Sequence, residues 1–365
     1  MTAHIIAASR SAVAPRGGAF NALSLPLLGA PVVQAGLSQA VIAPEEVDEI
    51  IVSTALGPGG NPARSIALAA GLPEQVAGLS LDRQCAGGLD ALLLARALVE
   101  SGAANVVIAG GVESYSRAPI RLRTFPDNRP PERYAQAPFT PWPDRDPDMA
   151  EAAEALANRL SISRAVQDAW AIESHAKARA HPPDLQELCQ LEGLTHDPFT
   201  RTLTPALCAR AKVITGSITH ANAAVAADAA AFCVVTSAGF AASRDGMEIL
   251  AGATLGSDPT CPGLAPVAAI ARALQNTGLS PAQIDVAEIM EAYAVQAIAC
   301  VQEAGLDPAR VNIGGGALAR GHPIGASGAI NAVRLYHSLL QRGGGTGLAA
   351  IAAAGGIGSA LILRA

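Results

Sequence analysis

Short apolar runs rich in valine and isoleucine alternate along the chain with alanine and leucine spaced for one helix face. Glu49-Ile50-Ile51-Val52 reads as a strand, Asp90 to Val99 as a helix, and Asn105 to Ala109 as the next strand. This alternation predicts an α/β protein whose helices cover a sheet. From Gly347 to Leu363 the run is apolar enough to resemble a membrane span, but glycines interrupt it, and the pattern predicts a buried pair of strands.

The pattern also repeats. Ala43-Pro44-Glu45-Glu46-Val47-Asp48 returns in outline as Ser280-Pro281-Ala282-Gln283-Ile284-Asp285, each leading into an apolar strand. A second echo keeps the same order: Glu100-Ser101-Gly102 leads through Val106-Val107-Ile108 to Gly110-Gly111, and Gln341-Arg342-Gly343 leads through Ala349-Ala350-Ile351 to Gly355-Gly356. Two similar halves are the expectation. Between them, residues 118–214 are rich in proline and charge and include a helical stretch from Met149 to Ala180. This segment reads as an insertion folded over the halves, where loops that cover a ligand commonly sit. The expected units are 1–117 with 215–242, the insertion 118–214, and 243–365.

Composition narrows the classes. Of the 365 residues, half are apolar and 15% charged, which excludes a disordered chain, and aromatics at 3% require a core of small aliphatic side chains. The net charge of −6 is spread without basic runs, so neither nucleic acid nor a membrane surface is expected as a partner. Six scattered cysteines without Cys-x-x-Cys spacing suggest neither a metal site nor a disulfide framework, and a reducing cytoplasm fits best. The opening residues lack the features of a secretion signal.

Two segments carry candidate chemistry. In Asp82-Arg83-Gln84-Cys85-Ala86-Gly87-Gly88 the cysteine precedes a helix expected to start near Leu89. The helix dipole there favours the thiolate, free first-turn N–H groups can hold a carbonyl oxygen, and the glycines allow close approach of a substrate. Taken alone, Cys85 reads more readily as a small buried hydrophobe, and the rest of the chain reverses that. The second segment is Asn312-Ile313-Gly314-Gly315-Gly316-Ala317-Leu318-Ala319-Arg320-Gly321-His322-Pro323-Ile324-Gly325. Its glycines and Pro323 hold His322 on a stiff turn, suited to a general base that takes a thiol proton. If the halves are related by a pseudo-twofold axis, Cys85 and His322 face each other across it.

These residues resemble the thiolase family, the acetyl-CoA acetyltransferases and 3-ketoacyl-CoA thiolases, nearly end to end. Arg10-Ser11-Ala12-Val13, Asn61-Pro62-Ala63-Arg64, Gly110-Gly111-Val112-Glu113-Ser114-Tyr115-Ser116 and Gly321-His322-Pro323-Ile324-Gly325 are similar to family motifs, and Cys85 falls on the acyl-accepting cysteine. The resemblance implies a duplicated five-layer αβαβα thiolase fold with an inserted loop domain. It implies an acyl-CoA thioester as substrate, no permanently bound cofactor, Cys85 and His322 as catalytic residues, backbone oxyanion donors at Cys85 and Ala354, and a homodimer or homotetramer.

The chain also departs from the family. The second catalytic cysteine of Cys-x-Gly-Gly-Gly-x-Gly becomes Ala352 in Ala352-Ala353-Ala354-Gly355-Gly356, and the asparagine of Asn-Glu-Ala-Phe becomes Met290 in Met290-Glu291-Ala292-Tyr293. Ala224 replaces a serine that lies near the pantetheine. The expected chemistry is therefore acyl transfer to Cys85 with weak condensation or thiolysis, with Glu291 or a water as replacement base. A thioesterase-like or decarboxylating relative and a non-catalytic scaffold are the alternatives. Arg201 and Arg210 are candidate contacts for the coenzyme phosphates.

Overall fold

The computed structural model describes residues 2–241 and 246–365. The first half runs β1 (Ala3–Arg10), α1 (Leu25–Ala40), β2 (Glu49–Ser53), α2 (Pro62–Ala69), β3 (Leu79–Leu81), α3 (Gly87–Glu100) and β4 (Val106–Glu113). The insertion contributes α4 (Met149–Leu160) and α5 (Arg164–Ala180), after which β5 (Ala227–Ser237) completes the half. The second half runs β6 (Met247–Gly256), α6 (Ala265–Thr277), β7 (Val286–Ile289), α7 (Ala294–Glu303), α8 (Ile324–Arg342), β8 (Thr346–Ala353) and β9 (Ile357–Arg364).

The strands lie in the order β7-β8-β9-β6-β1-β5-β4-β2-β3. Read outward from the β1–β6 seam, β1-β5-β4-β2 and β6-β9-β8-β7 are the same arrangement, with parallel pairing of β2 to β4 and of β7 to β8. Among the described residues the seam is short, with His4↔Glu248 and Ile5↔Met247 in register. The expected duplication is thus written in the strand order as well as in the sequence.

The echoed sequences have the same jobs in both halves. Glu46 accepts Ala43 N–H and Gln283 accepts Ser280 N–H, so in each tight turn the side chain three residues on reaches back to close the start. The aspartate that follows ties the turn to the neighbouring strand: Asp48 accepts the N–H groups of Asn105 and Val106, and Asp285 that of Thr346.

Every residue of β4, β5 and β8 is buried, because helices cover both faces of the sheet. Outer helices α1 and α2 pack on β2, β4 and β5 through Leu28, Val33, Ile66, Ile50 and Val234. On the other side α6 and α7 pack on β7, β8 and β9 through Ile270, Val301, Ile289 and Leu348. Between the halves, α3 and α8 form a shared middle layer built on Leu89, Leu92, Ile330 and Leu335. The result is the expected αβαβα stack, and the C-terminal apolar run is the hairpin β8–β9.

One expectation needs correction. The stretch from Met149 to Ala180 is two helices, because Ser161 closes α4 in the left-handed region (φ 55°) and Ser163 caps α5 through Val166 N–H. The glycines after Cys85 also serve packing: a Cβ on Gly88 would lie 2.7 Å from Ala329 N, and one on Gly328 2.5 Å from Leu89 N. They let α3 and α8 meet backbone to backbone, which brings the starts of both helices together. The proposed division at 242/243 lies outside the described residues.

Candidate active site

Cys85 sits in the turn Gln84–Ala86 that joins β3 to α3. Gln84 holds a left-handed backbone (φ 51°), and its N–H is fixed by Asp82 Oδ1 at 2.8 Å. A bulky residue in this region costs on the order of 1 kcal/mol, so the surrounding contacts impose the sharp turn that presents the thiol. His322 follows Gly321 (φ 121°), which ends a short helix over Ala317–Arg320. The histidine N–H donates to Val225 O at 2.7 Å, and α8 starts two residues later.

The two helix starts bring Cys85 Sγ to 3.2 Å from His322 Nε2. On its other side His322 Nδ1 meets Ser327 Oγ at 2.7 Å, and that hydroxyl lies 3.1 Å from Pro323 O. Since the serine proton goes to the carbonyl, Oγ receives the Nδ1 proton, which leaves the Nε2 lone pair facing the thiol. This is the arrangement of a nucleophile and its base, assembled from residues 237 positions apart.

Burial decides the charge state of the pair. It pushes the Cys85 thiol up to about 12, outweighing the backbone N–H groups of Cys85 and Ala354 that favour the thiolate. It also lowers His322 to about 4. Backbone N–H groups at the helix start still pull toward the thiolate, as expected, but desolvation in this cavity outweighs them and favours the neutral thiol and the neutral imidazole.

The pair opens on a cavity of about 330 Å³. Gln84, Tyr115, Ala224, Tyr293 and Gln296 line it from the two halves, Ala352 to Ala354 from the end of β8, and Gln136, Phe139, Asp148 and Met149 from the insertion. The insertion therefore covers the nucleophile, as its texture suggested. Ala352 stands on the wall with only a methyl group to offer. Gln296 is 4% exposed; its Oε1 accepts Ala292 N–H at 3.3 Å while Nε2 has no partner among the described residues. Burial pushes the Tyr293 hydroxyl up to about 12 and the Tyr115 hydroxyl higher still, so both are proton donors at neutral pH.

Other sequence candidates fall elsewhere. Met290 is 1% exposed in the core at the end of β7 and does not line the cavity. Glu291 cannot serve as the replacement base. It is buried, and its two oxygens already accept Trp170 Nε1, Ser174 Oγ, Asn312 Nδ2 and Leu318 N at 2.7–3.1 Å. Arg201 stacks on Phe199 with 4.1 Å to the ring centroid, and Arg210 turns back to Ala206 O; both are exposed and neither lines the cavity. Sequence reasoning missed Tyr115, Tyr293, Gln296 and Asp148 as lining residues. The first two were legible as tyrosines inside quoted motifs; Gln296 lies on α7, whose facing the sequence does not fix, and Asp148 caps the start of α4.

Comparison with known proteins supplies the family. The family model described as "Thiolase, N-terminal domain" matches residues 3–187, and "Thiolase, C-terminal domain" matches 246–365. The chain belongs to the thiolase family. An acetyl-CoA acetyltransferase of Cupriavidus necator is 36% identical over 395 residues, spanning 99% of this chain and 98% of its own. One from Pseudomonas aeruginosa is 36% identical over 389 residues, spanning 98% of each. The crystal structure of the Bacillus anthracis acetyl-CoA acetyltransferase superposes with a TM-score of 0.92 at 31% identity, covering 100% of this chain and 98% of that one. Among the described residues of this thiolase, no helix is long and apolar enough to cross a membrane.

Proposed function

We propose that this thiolase is an acyltransferase that takes an acyl group from a coenzyme A thioester onto Cys85, and that carbon–carbon bond formation from the acyl-enzyme is weak. The observation that carries the reading is the 3.2 Å contact between Cys85 Sγ and His322 Nε2 inside the covered cavity. Family membership and relatives named acetyl-CoA acetyltransferases support the reaction class.

In the forward step Cys85 gives its proton to His322 Nε2 as Sγ attacks the thioester carbonyl. The N–H groups of Cys85 and Ala354, which already favour negative charge on Sγ, are the donors for the developing oxyanion. Collapse of the tetrahedral intermediate breaks the bond to the coenzyme sulfur, which leaves with the proton held by His322. The products are acyl-Cys85 and free coenzyme A, and no bound cofactor takes part. Because thiol and imidazole start neutral, charge separates only as the substrate carbonyl arrives to accept it.

The second half of a condensation needs a base that removes a proton from the incoming acyl group. Ala352 lacks one, and Glu291 is fully engaged. The loss of a positioned base costs about 10²- to 10⁴-fold. All six cysteines are free, which suits a reducing cytoplasm, and the family likeness suggests a homodimer or homotetramer.

The test is intact-protein mass spectrometry after incubation with acetyl-CoA and longer acyl-CoAs. A single acyl adduct that is absent in Cys85→Ala supports the reading. Coenzyme A released without adduct or condensed product, and lost in His322→Ala, means a thioesterase-like enzyme. No adduct and no release with any acyl-CoA means a binding or scaffold protein, and overturns it.

A further inference from the structure

The catalytic cavity carries two polar groups that acyl transfer to Cys85 does not use. Tyr115 follows β4 in the first half, and Tyr293 stands at the start of α7 in the second, its backbone paired with Ala223. Both residues are half-buried and line the cavity. Among the described residues neither phenol oxygen has a hydrogen-bond partner, and neither is sealed from solvent. Burial is the main cause that holds both protons on; after it come the charges of Cys85 and Glu113 at Tyr115, and of Asp148 and Cys85 at Tyr293. The two phenols therefore stand within electrostatic reach of the nucleophile. Tyr293 also acts on Tyr115, so they stand within reach of each other.

The rest of the wall narrows what they can hold. Among the described residues no lysine or arginine lines the cavity, and Asp148 brings a carboxylate to it. An acyl group ending in a carboxylate would meet like charge and no counter-ion. A purely alkyl group finds Phe139, Met149 and Leu156, but leaves both hydroxyls without a partner once it displaces water. A neutral hydroxyl on the acyl group meets both demands, because it accepts from one phenol and donates to the other or to Asp148. Tyr293 stands in place of the phenylalanine of the family's Asn-Glu-Ala-Phe motif, a change that adds only this polar atom.

We propose that Tyr115 and Tyr293 select a short acyl group that carries a hydroxyl, so that hydroxyacyl-CoAs are the thioesters that acylate Cys85 fastest. The assignment rests on the acyl-transfer reading of the site. At about 330 Å³ the cavity lies at the small end of the roughly 300–1,000 Å³ of ligand pockets, which keeps the acyl group short. Selection of this kind comes from the analogue that lacks the hydroxyl, since it strands the polar groups of the wall; an apolar wall discriminates far less.

The experiment compares thioesters matched in carbon number: butyryl-CoA against its 2-, 3- and 4-hydroxy derivatives, with succinyl-CoA as the charged member. Acylation of Cys85 in the full chain is followed over time by intact-protein mass spectrometry. At least one hydroxy derivative should acylate about tenfold faster than butyryl-CoA, the equivalent of one or two neutral hydrogen bonds. In Tyr293→Phe and in Tyr115→Phe that ratio should fall by about threefold or more. A ratio taken within one variant cancels any loss of folded protein, so a purely structural role of either ring does not move it. Equal rates for butyryl-CoA and all three hydroxy derivatives, or a ratio unchanged in both variants, overturns the selection while leaving acyl transfer in place. Fastest acylation by succinyl-CoA also overturns it, in favour of a carboxylate-binding site. No adduct with any of the thioesters overturns it together with the acyl-transfer reading.

Discussion

Glu113, at the end of β4 in the first half, accepts the Gly325 N–H at 2.9 Å from the first turn of α8 in the second. The same carboxylate holds the loop after β2 through Thr54 Oγ1, Ala55 N and Leu56 N at 2.9–3.1 Å. One buried side chain, 0% exposed, thus joins the halves three residues from His322. The 3.2 Å contact between base and nucleophile rests on this link across the seam as much as on either loop.

Glu113→Gln keeps the volume but turns one acceptor into an NH₂ group that faces donors. The unmade bonds should cost about 1–3 kcal/mol of stability, read from the urea midpoint at unchanged slope. Acylation of Cys85 should slow as well, since the helix start that carries His322 loses its anchor. A midpoint within error of the parent would show that Glu113 is not the link.

Disruption of the buried ion network should cost more. Glu187 accepts Arg10 Nε and Arg334 Nη1, and the proximity of both arginines lowers its acid to about 2 in spite of burial. Glu187→Gln leaves Arg334 without its hydrogen-bonded carboxylate and Arg10 with Asp197 alone. A loss of about 3–5 kcal/mol is expected, measured by chemical denaturation.

The pH dependence follows from His322. Its acid lies near 4 in the folded protein and near 6.5 when unfolded, so between these values the unfolded chain binds the extra proton. Stability must then fall as pH drops from 6.5 to 4, with a slope of up to ~1.4 kcal/mol per unit from this group. His175, lowered to about 4 by burial and by Arg201, adds in the same window, while Glu288 opposes. The His322 share is the difference between the parent and His322→Asn, followed by denaturation at each pH. Acylation of Cys85, which needs His322 neutral in the folded protein, should persist until pH nears 4 and be lost below it, and no thiolate absorbance should appear at neutral pH. A thiolate at pH 7 would mean that burial does not control the pair.

Much of this arrangement is legible in the chain itself. Pro44-Glu45-Glu46-Val47-Asp48 and Pro281-Ala282-Gln283-Ile284-Asp285 encode the same cap, a local interaction between residues three apart; the tie each following aspartate makes reaches 57 to 61 residues along the chain and recurs because the strand that receives it recurs. Cys85 and His322 were legible because glycine and proline around them are demanded by backbone geometry. What the sequence hid is tertiary. Glu291 looks like an available base until the donors from α5 and the Asn312 loop are in place, and Cys85 looks activated by its helix until the insertion shuts out water. Arg334 reads as an ordinary helix arginine, and only the packing of α8 in the middle layer buries it beside Arg320.

The most direct prediction concerns the wall opposite Cys85. Ala352 lines the catalytic cavity from the end of β8, 9% exposed, beside Ala353 and Ala354. Ala352→Cys restores a thiol that can exchange a proton with the second substrate, and the swap adds one sulfur at a position that already faces open space. Condensation of two acetyl-CoA molecules, followed as the 3-ketoacyl-CoA product, should rise by about 10²-fold or more. The rate of Cys85 acylation should barely change, since that step uses His322 and the amides of Cys85 and Ala354. This separation distinguishes a missing base from a generally impaired site. If acylation and condensation rise together, or if the parent already condenses as fast as the variant, a group other than residue 352 performs the proton transfer; Tyr293, Tyr115 and Asp148 are then the side chains in the cavity to replace next.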